Sequence, residues 1–198
     1  MASPLFTPDN AAIVLIDHQD LTVSWIYSQP QTTTVNNVRM LARVGAELGV
    51  PLMVTSTMED AIGTNIKDIQ ELAPDAYAAR VKRGGTLNGF LDPAFVAAVK
   101  GLGRSNLILA GLTTDICLFH TARGAVEAGY EVQVVADACG SSSVSSDQNT
   151  FDRLRSLGVT ITGGNQILSE LFTDFGTPIG QKAQKINMDE IVSKMSAA

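Results

Sequence analysis

Cys117 stands where a cysteine could act as a nucleophile. Residues 107–117, with the sequence LILAGLTTDIC, are typical of a strand, a tight turn and the first turn of a helix. The first amides of a helix have no intrahelical acceptors and the helix dipole is positive there, so the sequence predicts a thiol of lowered pKa beside amides that could hold an oxyanion. The alternative is a buried cysteine that only fills space.

Asp17 and the pair Lys82 and Arg83 are the charged candidates that could assist this cysteine. Asp17 follows the apolar run 13–16, and a carboxylate there is costly to desolvate unless it is paired or used. Lys82 and Arg83 end the third predicted strand, where adjacent side chains face opposite ways, so only one of them can reach the same side. A helix cap for Asp17 and solvated surface charges for the two cations are the alternatives.

The two histidines and the second cysteine are weaker candidates. His120 comes three residues after Cys117, further from the helix start, and His18 is expected to point away from Asp17. Neither histidine is therefore expected to form a catalytic dyad with Cys117. Cys139 follows the fifth predicted strand and is expected to have a structural role.

The elements that must position these residues follow a repeating strand–helix pattern. Most of the strand-like runs are apolar on both faces, which is typical of parallel strands covered by helices on each side. The sequence therefore predicts an α/β protein, a three-layer α/β/α sandwich around a six-stranded parallel sheet, with the site at the carboxyl ends of the strands. The predicted strands are 12–16, 51–55, 78–82, 106–110, 131–136 and 159–162, and the predicted helices are 35–48, 66–72, 93–100, 114–128, 146–156 and 165–171.

Length and charge limit the organisation and the partners. The 198 residues are expected to form one domain, 1–198, with a C-terminal helix at about 179–195 that packs on the body or on a neighbouring subunit. The 14 Lys and Arg residues against 20 Asp and Glu residues, with no basic stripe, argue against nucleic acid and against an anionic membrane surface. The apolar runs are too short to span a bilayer, and the N-terminus lacks a secretory signal, so a cytoplasmic location is expected.

Three elements follow one another along the chain: Asp17, a basic residue at the end of the third strand, and AGLTTDIC at residues 110–117. Together they resemble the isochorismatase-like cysteine hydrolases over about residues 11–172. The resemblance implies strand order 3-2-1-4-5-6 and an Asp-Lys-Cys triad, with Asp17 as acid and base and Cys117 as nucleophile. It also implies a non-proline cis peptide between Leu112 and Thr113, which would aim the amides of Thr113 and Cys117 at the oxyanion.

The basic residue departs from the usual lysine. Residues 83–90, RGGTLNGF, are similar to an Arg-x-Gly-x-x-Asn-Ala-Trp pattern in a subgroup of uncharacterised octameric hydrolases with arginine at the lysine position. This similarity favours Arg83 over Lys82 while leaving both open. An arginine stays protonated, so it would hold the thiolate and position Asp17 while the carboxylate carries the protons. The resemblance further implies a homo-oligomer, from dimer to octamer.

The expected function is hydrolysis of a small-molecule amide or related C–N bond through a cysteine thioester, without a cofactor. No metal site is expected, because residues 55–60 contain no histidine where the nicotinamidase branch carries its Asp-x-His ligands. Trp25, Phe90 and Phe119 are the aromatic candidates to line the pocket. Two alternatives stay open: vinyl-ether hydrolysis without a nucleophilic cysteine, and a non-catalytic scaffold or binding module. A dinucleotide-binding enzyme is disfavoured, because the first strand-to-helix turn, 17–20, has no glycine.

Overall fold

A six-stranded parallel sheet forms the centre of residues 5–195, the part of the chain that the computed structural model describes. The strands lie in the order β3-β2-β1-β4-β5-β6, with every pair parallel. Both the predicted fold class and the predicted strand order are therefore confirmed. The strands are β1 (Ala11–Ile16), β2 (Leu52–Thr57), β3 (Val81–Arg83), β4 (Asn106–Gly111), β5 (Glu131–Val135) and β6 (Thr160–Thr162).

Helices cover the sheet. β1 is central and buried along its whole length, with Ile13 between Leu52 of β2 and Ile108 of β4. The apolar character of both faces of β1 follows from this position, since neither face meets water. The helices are α1 (Asp20–Ser24), α2 (Gln31–Leu48), α3 (Glu59–Ile62), α4 (Lys67–Leu72), α5 (Pro74–Ala78), α6 (Pro93–Gly101), α7 (Phe119–Glu127), α8 (Val144–Ser156), α9 (Gly164–Leu171), α10 (Pro178–Asn187) and α11 (Ser193–Met195).

Most predicted elements lie within a few residues of the observed ones, and two of the differences bear on the site. The predicted strand 78–82 is wrong at its start, because Ala78 ends α5 and the strand runs over Val81–Arg83. Pro74 at the first helical position favours the short helix there. The predicted helix 114–128 begins instead as a π-type turn, Thr114–Leu118, before α7 starts.

The C-terminal segment lies against α2. Ala183 and Ile186 of α10 are buried, and the following π-type turn, Met188–Val192, carries the buried Glu190. The Glu190 carboxylate accepts hydrogen bonds from Arg39 Nε at 2.6 Å and Arg43 Nη1 at 3.0 Å. Between residues 5 and 195, none of the helices is both long enough and apolar enough to cross a bilayer.

Candidate active site

Asp17, Arg83 and Cys117 meet at the carboxyl edge of the sheet. Asp17 directly follows β1, Arg83 is the last residue of β3, and Cys117 lies in the turn after β4. The Asp17 carboxylate accepts a hydrogen bond from Arg83 Nη2 and a second from Thr55 Oγ1 at 2.7 Å. Asp17 and Arg83 both lie close enough to the Cys117 thiol to shift its pKa. Three strands thus bring together a carboxylate, a cation and a thiol.

The backbone of Asp17 is in the left-handed region, with φ of 55°. Non-glycine residues rarely adopt this conformation, and such residues cluster at functional sites. The turn is held by hydrogen bonds to the Asp17 carbonyl from the Gln19 amide at 2.9 Å and from Thr22 Oγ1 at 2.7 Å. The strained turn places the Asp17 carboxylate against the neighbouring strand residue Thr55.

Burial controls the charge state of this cluster. The side chains of Asp17 and Arg83 are 0% exposed. Burial raises the pKa of Asp17, while the Arg83 charge and the Thr55 hydroxyl oppose the rise. Burial, followed by the charge of Asp17, raises the pKa of Cys117 to about 12. The raised pKa of Cys117 keeps its thiol neutral, while the Arg83 charge favours the ionised form of Asp17 against burial.

The sequence-based expectation of a lowered thiol pKa is thus wrong. A helix start favours a thiolate, but Cys117 is only 8% exposed and faces a carboxylate. Loss of water and the repulsion of a second anion outweigh the stabilisation from Arg83. A thiolate at Cys117 therefore needs a proton acceptor close to the sulfur.

Lys82 lies outside the cluster. Successive strand residues face opposite ways, so Lys82 turns to the other side of β3 from Arg83, and its side chain is 60% exposed. Lys82 Nζ pairs with Glu59 at 3.0 Å, and Arg80 Nε pairs with the same carboxylate at 2.7 Å. Arg80 is the main reason that the pKa of Glu59 falls to about 2. Of the two predicted cations, only Arg83 reaches Asp17.

The turn before Cys117 contains the expected cis peptide bond, between Leu112 and Thr113. The Thr113 carbonyl accepts hydrogen bonds from the amides of Ile116 and Leu118 at 3.2 and 3.3 Å. The Cys117 amide, which lies between them in the chain, is not one of these two donors. The sequence-based expectation that the amides of Thr113 and Cys117 face an oxyanion stays a prediction.

A cavity of about 140 Å³ opens over Cys117. Trp25 lines it, as the sequence predicts. Phe90 does not; its ring packs 5.3 Å from the Phe95 ring and 5.7 Å from the Tyr130 ring. Phe119 does not either; it is buried, with the Arg153 guanidinium 4.2 Å from its ring centroid. Both phenylalanines pack inside the fold around the site and are not part of the cavity wall.

Sequence reasoning missed several residues that line the cavity, among them Met58, Ile62 and Leu87. Met58 directly precedes the short α3, Ile62 is the last residue of that helix, and Leu87 lies in the loop after β3. The available signal was their position, since each lies in a loop that follows a strand at the carboxyl edge, where ligands bind in parallel α/β sheets.

The remaining candidates have structural surroundings. His18 is fully buried beside the Ala138 carbonyl, 2.9 Å from Nε2, and burial lowers its pKa to about 4. His120 meets the Phe119 ring edge-on at 5.3 Å. The Cys139 thiol donates to the Val135 carbonyl at 3.1 Å, and burial raises its pKa. No group of three or more His, Cys, Asp or Glu residues in the described chain is arranged to hold a metal ion.

Residues 11–166 match the family described as the isochorismatase domain. The chain is 29% identical over 172 residues to the probable hydrolase YcaC of Escherichia coli K12, covering 86% of this chain and 82% of that protein. The crystal structure of the E. coli YcaC gene product, described as an octameric hydrolase of unknown specificity, matches with a TM-score of 0.90 and 26% identity, covering 100% of this chain and 96% of that one.

Two further structures bear on the site. YcaC from Pseudomonas aeruginosa with hexane-2,5-diol and covalent acrylamide matches with a TM-score of 0.92 and 26% identity, covering 100% of this chain and 96% of that one. An N-carbamoylsarcosine amidase from Thermoplasma acidophilum matches with a TM-score of 0.64 and 21% identity, covering 79% of this chain and 98% of that one. The second similarity is one of fold alone.

Proposed function

Because this chain belongs to the isochorismatase domain family, we propose that it is a cysteine hydrolase that cleaves an amide or related C–N bond of a small molecule through a thioester on Cys117. One observation carries the proposal: Cys117 lines a cavity, and its thiol lies beside a buried ion pair formed by Asp17 and Arg83. The acrylamide bound covalently to the Pseudomonas YcaC supports it, because acrylamide is an electrophile that thiolates attack.

In the first half of the reaction, the Asp17 carboxylate accepts the Cys117 proton as the sulfur attacks the carbonyl carbon. The C–S bond forms, and the carbonyl electron pair moves to oxygen, which faces the amides of Thr113 and Cys117. The oxyanion then collapses and the C–N bond breaks. The leaving amine takes its proton from Asp17, so the carboxylate is restored and a thioester remains.

In the second half, water replaces the amine. Asp17 accepts a proton as the water oxygen attacks the thioester, and the same amides hold the second oxyanion. When the C–S bond breaks, the sulfur recovers the proton from Asp17. The products are a carboxylic acid and the free thiol. Arg83 stays protonated throughout and lies beside the carboxylate and the sulfur in both halves.

The proposal extends to organisation. Of the predicted domain 1–198, the described residues 5–195 form a single domain, and residues 1–4 and 196–198 lie outside the described part of the chain. The chain assembles as a homo-oligomer in the cytoplasm. The octameric state described for E. coli YcaC supports the assembly. Size-exclusion chromatography with light scattering tests it, and a monomer at micromolar concentration would contradict it.

The test compares the two cysteines. Ammonia release is measured for a panel of small primary amides with the wild type, Cys117→Ala and Cys139→Ala, together with the mass of the protein during turnover. We expect Cys117→Ala to lose turnover and the acyl adduct while it unfolds at an unchanged urea concentration. Cys139→Ala should keep both, because its thiol is bonded only within the core. Turnover by Cys117→Ala at the wild-type rate would exclude covalent catalysis at this residue.

A further inference from the structure

The cavity over Cys117 is walled almost entirely by apolar side chains. Its apolar lining consists of Trp25, Met58, Ile62, Leu87, Leu112 and Ile116. The hydroxyl of Thr22, which also lines the cavity, is already used: it donates to the carbonyls of Asp17 and Gln19 at 2.7 and 2.9 Å and accepts from the Gln19 amide at 3.0 Å. Its donor hydrogen is therefore used within the chain. Thr57 and Thr113 also line the cavity, and the buried Thr113 hydroxyl has no hydrogen-bond partner among the described residues. The wall thus offers a substrate uncharged hydroxyls and apolar groups.

The cations around the site are also paired. The Arg83 guanidinium donates to Asp17 and to the Thr86 carbonyl, and its charge is balanced by Asp17, although its buried Nε has no hydrogen-bond partner among the described residues. Lys82 and Arg80 both pair with Glu59. A carboxylate on the substrate would enter the cavity without a counter-ion, and burying an unpaired charge is strongly unfavourable. The walls therefore favour a substrate whose reacting carbonyl carries a neutral, apolar group.

The size of the cavity limits that group. A volume of about 140 Å³ corresponds to about five water molecules at about 30 Å³ each. This space suits a branched or straight acyl chain of a few carbons with its carbonyl carbon over the Cys117 sulfur. A larger acyl group would extend past Trp25 and Met58, both of which are partly exposed at the mouth.

We propose that the substrates are amides of small, uncharged, apolar acyl groups, an inference that rests on the proposed cysteine hydrolase function. The three loops that follow β1, β2 and β3 supply this selectivity through Trp25, Met58 and Leu87. The Met58 side chain lies next to Gly85, where an added Cβ would be 3.2 Å from the Met58 sulfur. The φ of Gly85 is +105°. A glycine at residue 85 therefore lets the Met58 side chain close the cavity on that side.

The first experiment compares three amides of the same shape. In 3-methylbutanamide the group beyond the methylene is an isopropyl group, in malonamate it is a carboxylate, and in malonamide it is a neutral polar amide. We expect kcat/KM for 3-methylbutanamide to exceed that for malonamate by at least about 100-fold, with malonamide between them. Each amide is also tested for its ability to slow acrylamide labelling of Cys117, which reports occupation of the cavity without turnover.

The second experiment supplies the missing counter-ion. Leu87→Arg adds a guanidinium at the cavity mouth, where Leu87 is 45% exposed. Leu91→Arg is the matched control, since Leu91 is 73% exposed and does not line this cavity. We expect Leu87→Arg to raise kcat/KM for malonamate at least about 10-fold relative to 3-methylbutanamide. Leu91→Arg should leave the ratio of the two substrates unchanged.

The two measurements separate this proposal from the function on which it rests. If malonamate is hydrolysed or protects Cys117 as well as 3-methylbutanamide does, the apolar substrate class is wrong, while the cysteine mechanism stands. If 3-methylbutanamide protects Cys117 and malonamate does not, the substrate class is supported even without ammonia release, and absence of turnover across the amide panel would then contradict the hydrolase mechanism. Equal responses of Leu87→Arg and Leu91→Arg would contradict the role given to Leu87.

Discussion

Replacing Arg83 tests the charge arrangement on which the proposed chemistry depends. Arg83→Met keeps an extended apolar side chain but removes the guanidinium that contacts Asp17. Both partners of this ion pair have side chains that are 0% exposed. Removing one partner of a buried pair leaves an uncompensated charge and typically costs about 3–5 kcal/mol. We expect a loss of this size in the free energy of unfolding at pH 7.5, measured by urea denaturation.

The pH dependence of that loss identifies Asp17 as its source. Burial already raises the pKa of Asp17 in the folded protein, and the charge of Arg83 is the largest opposing influence. Without Arg83 the folded pKa rises further. The unfolded chain loses this proton at about pH 3.9, so stability falls as the pH rises from there to the folded pKa. In Arg83→Met this fall in the free energy of unfolding extends to a higher pH than in the wild type. The difference in the free energy of unfolding between the two proteins therefore grows from acid to neutral pH.

Activity should follow the same change. An Asp17 that holds its proton cannot accept the one from Cys117, so kcat should fall by about 10²- to 10⁴-fold at pH 7.5. Arg83→Lys keeps a positive charge and is the variant to measure if Arg83→Met does not fold. It should retain more stability than Arg83→Met. The matched control is Lys82→Met, one residue away and paired only with Glu59 at the surface; we expect it to change stability by less than about 1 kcal/mol. The reasoning is refuted if Arg83→Met costs no more than Lys82→Met or shows no dependence on pH.

Three further changes probe the surroundings of the site. Alkylation of Cys117 should accelerate steadily from pH 6 to pH 10 without a plateau, because the pKa of its thiol is about 12; a plateau near pH 6 would indicate a preformed thiolate. Thr55→Val removes the 2.7 Å hydrogen bond to Asp17, so we expect a loss of about 1.5–3 kcal/mol in urea denaturation and an acid limb of the pH–rate profile moved to higher pH. Gly124→Ala would bring a Cβ to 2.3 Å from the Asn88 side chain and should cost about 1–3 kcal/mol, whereas an unchanged melting temperature would mean that Asn88 can move aside.

Local pattern is sufficient to predict the parallel sheet and to single out Asp17 and Cys117, whereas the strand order and the preference for Arg83 over Lys82 come from the family resemblance. Apolar runs on both faces predict buried parallel strands, and the carboxyl ends of such strands share one edge. Alternation along β3 requires Lys82 and Arg83 to separate, but not which of them turns inward. That choice depends on where the strand begins, and the helical Ala78 shows that the predicted start was too early.

Two properties of the site depend on contacts between distant segments and are not contained in any local pattern. The raised pKa of Cys117 comes from burial and from a carboxylate 100 residues away in the chain, while the helix start alone favours the opposite direction. The aromatic residues are a second case. Phe90 follows the third strand like a pocket residue, yet Phe95 and Tyr130 provide its packing partners. Tertiary packing decides both outcomes.

In the proposed mechanism, a raised thiol pKa and an apolar cavity are consistent with each other because the cluster of Asp17, Arg83 and Cys117 conserves its total charge. With the proton on sulfur, the charges of Asp17 and Arg83 cancel; with the proton on Asp17, those of the sulfur and Arg83 cancel. The proton would therefore move without creating net charge in a region where an unpaired charge is costly. The guanidinium contacts the carboxylate and lies close enough to the sulfur to lower its pKa, so it is placed to balance either anion. A charged substrate would break this balance, whereas a neutral amide with an apolar acyl group would leave it intact.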